Sequence, residues 1–224
     1  LTEAEIDALR PVFYRRYAAA NNDMAAHLCK IHDAFEHLPD GTPIFPADAS
    51  AGAIYILRNP LDVAISYAHH NHISIDECIT WMNDPTHALS QFPNLQPPQI
   101  HQRIDTWSAH VAGWIDQTVM PLHIVRYEDM SAAPAETFSA VIRFIGWELD
   151  EARLDKAIRF SSFGEMRKQE DERGFHEKPR SAANFFRKGK AGDWRETLTA
   201  AQIDRIVADH GALMAQFGYL PEET

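Results

Sequence analysis

Residues 54–67 read IYILRNPLDVAISY, and the fold follows from how this stretch is parsed. Ile54 to Leu57 form a short, fully apolar run of the kind expected for a central strand of a parallel sheet, and the run stops at Arg58. A helix should start at once: Asn59 is a good N-cap, Pro60 suits the first helical position, and Asp62 lies three residues after the cap, close to a capping box. The helix then continues through Val63, Ala64, Ile65, Ser66 and Tyr67. Strand, tight turn and helix put a fixed cation at the carboxyl end of a strand and a hydroxyl two turns further on, where open α/β sheets bind their ligands. That arrangement suits an anion, although an ordinary βα unit with Arg58 as a surface charge reads the same way. Asp62 is expected to engage the free N–H groups of the helix start, so a phosphate here would rely on Arg58 and Ser66 more than on the helix dipole.

The chain has 224 residues and 45% hydrophobic content, enough for a sizeable core in one large or two small domains. Twenty-one basic against thirty-two acidic residues give a net charge of −11, which argues against a general nucleic-acid or anionic-membrane binder. An anionic ligand would need a locally basic pocket. Cys29 and Cys78 make neither a disulfide framework nor a metal-ligand pattern; a reducing cytoplasm is the default and each reads as a small core residue. No apolar stretch approaches a membrane span and no signal peptide is visible.

Around the opening unit, Thr2 and Glu5 form a capping box ahead of Ile6, Leu9, Val12, Phe13 and Tyr17 at helical spacing. HLCKIH at 27–32 reads as a brief strand ending in His32, followed by a loop rich in proline. Ser74 and Glu77 cap a short helix, residues 84–98 read as a long loop, and Ile100, Ile104, Trp107, Val111 and Trp114 place one apolar stripe on a helix over 99–117. LHIVRYED at 122–129 is a second strand-like run, followed by a helix that Gly146 stops. Residues 150–168 read as helical with a break at Ser161 and Ser162, and 169–184 as a polar surface loop. Thr199 and Gln202 cap a last helix ending at Gly218. The alternation implies a single α/β domain with a central parallel sheet flanked by helices.

RKGKAGDW at 187–194 places three cations and two glycines within six residues of an acidic chain. Glycines allow close backbone approach, and free N–H groups beside Arg and Lys suit a phosphate. Taken in order, KIH at 30–32, YILRNPLDVAISY at 55–67, VRYEDM at 125–130, SSFGEM at 161–166 and RKGKAGDW resemble the sulfotransferases that use 3′-phosphoadenosine 5′-phosphosulfate (PAPS). The resemblance runs from about residue 27 to the C-terminus and implies their P-loop-kinase-like fold. It implies that Arg58 and Ser66 hold the donor's 3′-phosphate together with Arg187, Lys188 and Gly189. Tyr127, Ser161, Ser162, Phe163 and Met166 would match the adenine-side contacts, with Phe185 and Phe186 also on the cofactor side. Lys30 and His32 match a lysine-x-histidine pair, with Ile31 where many members have threonine; His32 would be the general base and Lys30 would offset developing charge.

The implied reaction is transfer of a sulfuryl group from PAPS to a hydroxyl or amine of a small-molecule acceptor, with 3′-phosphoadenosine 5′-phosphate (PAP) as product, no metal, and neither nucleic acid nor membrane as partner. A non-catalytic nucleotide-binding or scaffold protein, and a P-loop kinase of similar fold, are the alternatives. The family also carries a loop near Lys-Ser-Gly-Thr-Thr-Trp that grips the 5′-phosphosulfate; nothing here matches it, and since the chain begins at Leu1 that loop is expected upstream. RETLTAAQID at 195–204 resembles the family's short dimer motif but has Ala200 and Asp204 where that motif has valine and glutamate, which leaves a homodimer open. His69, His70 and His72 read as a solvated or pocket-lining cluster, because no carboxylate or thiolate stands at ligand spacing. Phe35 and Trp81 suit either an acceptor pocket or the core.

Overall fold

The computed structural model describes residues 2–21, 27–89, 101–175, 178, 184–186 and 188–222. Helix α1 (Glu3–Ala20) leads to strand β1 (Ala53–Leu57), then α2 (Pro60–Asn71) and α3 (Ile75–Met82). Short strands β2 (Ala88–Leu89) and β3 (Gln102–Arg103) precede α4 (Trp107–Asp116), β4 (Leu122–Arg126), α5 (Tyr127–Ala132) and α6 (Pro134–Phe144). Helices α7 (Glu151–Phe160), α8 (Phe163–Arg173), α9 (Trp194–Thr197) and α10 (Ala200–Gln216) complete the order.

β1 and β4 pair in parallel from Ala53 opposite Leu122 to Leu57 opposite Arg126, and β2 pairs antiparallel with β3. Leu57, Leu61, Ala64, Ile79, Val111, Ile206 and Met214 join β1 to α2, α3, α4 and α10 in the main core. A second cluster, Phe35, Ile44, Phe45, Trp114 and Met120, lies beside it. Apart from the small Ala64, burying each of these aliphatic or aromatic side chains stabilises the fold by roughly 1.5–3 kcal/mol before conformational entropy is charged against it. Among the described residues no helix is long and apolar enough to cross a membrane.

The expected caps form. Thr2 with Glu5 and Thr199 with Gln202 make reciprocal capping boxes, the Ser74 side chain accepts from the Glu77 N–H, and Gly146 and Gly218 follow helix ends at positive φ. Several expectations are corrected. HLCKIH does not form a strand, because the N–H and C=O of His32 itself go to side chains, as described below. The helix expected over 99–117 starts at Trp107: Gln102 and Arg103 pair with β2, Asp105 takes φ of 64°, and the Thr106 side chain caps the N–H of Ala109. Residues 99 and 100 lie outside the described residues. The polar run from 169 continues α8 to Arg173 instead of looping, since the Ser162 cap restarts a helix that Gly174 ends.

Cys29 is exposed, and only Cys78 lies in the core, where burial pushes its thiol up to about 12. Phe35 belongs to the core, while Trp81 stacks on His87 at 5.2 Å. The apolar stripe of α1 is not what docks it. Phe13 is 59% exposed, and Leu9 and Val12 are exposed too, whereas buried Arg10 reaches Asp33 at 2.6 Å and Tyr14 packs on Phe45. An ion pair this short inside the protein sets the helix's rotation, and losing one partner would strand the other charge.

His87 and His210 are buried and share 2.8 Å hydrogen bonds with the hydroxyls of Tyr67 and Ser108. Burial lowers both pKa values below the ordinary histidine range. Below about pH 6.5 the unfolded chain therefore binds more protons than the folded one, so stability is full above that pH and falls as pH drops, by up to ~1.4 kcal/mol per pH unit for each histidine. Urea midpoints should be lower at about pH 5.5 than at about pH 7, and His210→Gln should reduce the difference. Equal midpoints at the two pH values would remove these histidines as titrating groups.

Candidate functional site

Because Leu57 stands opposite Arg126, the parallel pair delivers Arg58 and Tyr127 side by side at the carboxyl ends of β1 and β4. The Arg58 guanidinium lies over the Tyr127 ring at 4.3 Å, and its Nε is buried with no hydrogen-bond partner among the described residues. A stacked guanidinium is held in orientation while its N–H edge stays available, and a buried donor left unmatched suits an anionic oxygen. The turn itself is built as its sequence implies: the Asn59 side chain accepts from the Leu61 N–H and Pro60 opens α2.

Asp62 does something different from its expected role. Its carboxylate accepts from the N–H groups of Gly192 at 2.6 Å and Trp194 at 3.1 Å, tying the late glycine- and lysine-bearing loop to the first turn of α2. Asn59 already caps that helix, which leaves the buried Asp62 carboxylate for the loop. Glu128 adds a second tie, accepting from the Asn59 N–H at 3.0 Å and from the Tyr219 hydroxyl at 2.8 Å. Asn59, Asp62, Arg126, Glu128, Gly192, Arg195 and Tyr219 line a cleft of about 210 Å³ behind the turn. A larger surface hollow of about 500 Å³, between α6 and α7, contains none of these residues.

On the loop, Lys188 pairs with buried Asp193 at 2.6 Å, which orients its ammonium group and offsets part of its charge. Gly189 takes φ of 59° with its Cα against the Phe163 ring; a Cβ there would run into the ring, so only glycine lets the loop approach this closely. Phe163, Phe175, Phe185 and Phe186 pack edge to face or tilted, and buried Glu170 accepts from the N–H groups of Phe185 at 2.6 Å and Phe186 at 3.0 Å. Phe185 meets the His70 ring at 6.1 Å, and His70 shares a face of α2 with Ser66, four residues earlier. Phe185 thus links the phenylalanine cluster, against which Gly189 packs, to the exposed, Ser66-bearing side of α2.

Ser161 and Ser162 sit at the α7–α8 break. The Ser161 hydroxyl donates to the Ala157 carbonyl and Ser162 accepts from the Glu165 N–H, so Ser162 keeps its own O–H to give. Met166 lies half-buried on α8. Arg187 lies outside the described residues. Lys30 and His32 are exposed, in a segment that joins no strand, and His32 reaches the strand unit through its backbone by way of His110 and Tyr55. Among the described residues no group of three His, Cys, Asp or Glu side chains could hold a metal ion; the rings of His69 and His72 are 6.3 Å apart.

The sulfotransferase domain family model matches residues 13–218, nearly the whole chain. The chain belongs to the sulfotransferase domain family. Its curated relatives include sulfotransferase 1A1 of the dog, Canis lupus familiaris, 28% identical over 87% of this chain and 64% of that protein. They also include sulfotransferase 1A1 of Bos taurus, 29% identical over 75% of this chain and 56% of that protein. The sulfotransferase chain therefore spans less than two thirds of the length of either. Among solved structures, mouse sulfotransferase SULT7A1 complexed with PAP aligns with a TM-score of 0.50 at 20% identity, over 73% of this chain and 62% of that one. Retinol dehydratase in a complex with retinol and PAP aligns with a TM-score of 0.56 at 18% identity, over 76% and 50%. These likenesses establish the α/β sulfotransferase fold.

Sequence reasoning missed Asp62 as a loop anchor, Glu128, Glu170 and His110. One signal was readable: with Asn59 in place as cap, Asp62 was surplus to the helix start. Glu170 sits in a charged run with no periodicity to mark it, and nothing local distinguishes His110 from its neighbours on an amphipathic helix.

Proposed function

We propose that this chain is the sulfotransferase domain of an enzyme that transfers a sulfuryl group from PAPS to a hydroxyl or amine of a small molecule. The observation that carries the reading is the Arg58 guanidinium, clamped on Tyr127 with a buried Nε unmatched among the described residues, next to a glycine- and lysine-bearing loop that Asp62 fastens to the same βα turn. When bound, PAPS supplies an activated sulfuryl group with PAP as the leaving group. Arg58, Ser66, Lys188 and Gly189 would hold the 3′-phosphate, with Arg187 from the same loop. Phe163, Phe185, Phe186, Tyr127, Met166 and the two serines Ser161 and Ser162 would line the nucleotide.

His32 would take the acceptor proton as its oxygen or nitrogen forms a bond to sulfur and the bond from sulfur to the PAP oxygen breaks. Lys30 would offset charge on the departing side. Positioning and charge stabilisation supply most of the catalysis for an in-line transfer of this kind. A small-molecule acceptor is supported by the retinol dehydratase neighbour, which was solved with retinol and PAP.

The test is incubation of full-length protein with PAPS and a panel of phenols, alcohols, amines and glycans, reading products that gain a sulfuryl group. PAP binding without turnover across the panel would favour a non-catalytic nucleotide-binding protein, and ATP turnover a kinase. Arg58→Ala should weaken PAP binding about 10–100-fold by calorimetry, the loss expected for charge-assisted hydrogen bonds worth ~1.5–3 kcal/mol. Unchanged affinity would remove Arg58 from the site.

A further inference from the structure

We propose that His110 and Tyr55 are positioning residues for the reaction, holding the backbone that carries His32; the inference rests on the sulfotransferase reading of His32. The segment around His32 has no strand ladder, yet its backbone is fixed by four successive bonds. The His32 N–H donates to Gln102 Oε1 at 3.2 Å, and its carbonyl accepts from His110 Nε2 at 3.1 Å. The Asp33 carbonyl accepts from Trp114 Nε1 at 3.0 Å, and the Ala34 N–H donates to the Arg103 carbonyl at 2.8 Å.

His110 and Trp114 are four residues apart on α4, so one helix face offers two ring N–H donors to two consecutive carbonyls. Gly113 permits the approach: a Cβ there would stand 3.2 Å from the Phe35 carbonyl oxygen. A carbonyl can only accept, which assigns the proton to His110 Nε2 and leaves Nδ1 to accept from the Tyr55 hydroxyl at 2.8 Å.

One imidazole therefore connects β1, three residues before Arg58, to the backbone of His32, fixing both in a common frame. Burial keeps the His110 pKa below the ordinary range despite the raising effects of the His32 carbonyl, Asp33 and Asp105, so the neutral tautomer that makes both bonds persists at neutral pH. Packing of the Tyr55 ring against Trp114 at 6.1 Å restrains the other end of the relay. A displacement of about 1 Å in a reacting group can cost about 100-fold in rate, so the relay matters to turnover without touching substrate.

Glutamine carries an amide N–H at the level of the imidazole Nε2, whereas asparagine reaches only the level of Nδ1. His110→Gln keeps a donor for the His32 carbonyl but gives up the Nδ1 acceptor for Tyr55, so it should lose about 3–10-fold in turnover, and His110→Asn should lose about 10–100-fold, both with donor KM changed less than about 2-fold. Hydrogen exchange at the His32 and Ala34 amides should accelerate in the asparagine variant and stay close to wild type in the glutamine variant. Tyr55→Phe, which removes one hydroxyl, should lower turnover by about 3–10-fold.

Wild-type turnover in both His110→Asn and Tyr55→Phe would overturn the inference while leaving the sulfotransferase reading intact. Equal losses in the glutamine and asparagine variants, with matching losses of Tm and PAP binding, would reduce His110 to a general structural residue and overturn it as well. A wild-type protein that sulfates no acceptor overturns the functional reading first, and the positioning role with it.

Discussion

His32→Ala is expected to leave a folded protein with wild-type PAP affinity and turnover reduced by about 10²–10⁴-fold, the range for losing a general base. The fold should survive because the His32 ring is exposed, and it is the backbone of this residue that Gln102 and His110 hold. Surface substitutions away from special features usually change stability by less than ~0.5 kcal/mol. Steady-state kinetics with a responsive acceptor, calorimetry with PAP and a thermal melt separate the three quantities. Turnover within a few-fold of wild type would remove His32 as the base, and loss of PAP affinity in step with turnover would place it in the nucleotide site instead.

Asp62→Ala should both destabilise the protein and weaken PAP binding by at least about 10-fold, although it removes a negative charge from beside an anion site. Two effects compete. Coulomb's law favours tighter anion binding once the carboxylate is gone, by ~1 kcal/mol for a pair about 4 Å apart under full water screening and more for a carboxylate as buried as this one. Against this, Asp62 is 2% exposed and satisfies the N–H groups of Gly192 and Trp194. Leaving buried donors unmatched costs ~1–3 kcal/mol each, and it releases the loop that carries Lys188 and Gly189. The loss of the anchor outweighs the gain in field. Tighter PAP binding in Asp62→Ala would show that the loop holds its place without this contact.

Much of the candidate site can be read locally. Arg58, Asn59 and Pro60 occupy the places their chemistry dictates at a strand–helix turn, and both capping boxes form because cap and partner lie three residues apart. The order of short motifs, each a few residues long, matches a family that the domain model confirms. Helix boundaries set by unusual backbone were less legible: Asp105 at positive φ delays α4, and the Ser162 cap carries α8 into a run whose polarity suggests a loop.

The sequence by itself determined the βα unit around Arg58, the helix ends that local caps specify, and the sulfotransferase family through the order of its motifs. Only the tertiary structure decided that Asp62 serves a loop 130 residues away, that α1 docks through Arg10 and Tyr14 rather than its apolar stripe, and that His32 is held by Gln102 and His110 instead of a strand. The division has a physical cause. Caps and apolar periodicity act over three or four residues and are written into neighbouring positions, whereas a buried carboxylate or imidazole takes whichever donors and acceptors the packed chain brings within about 3 Å.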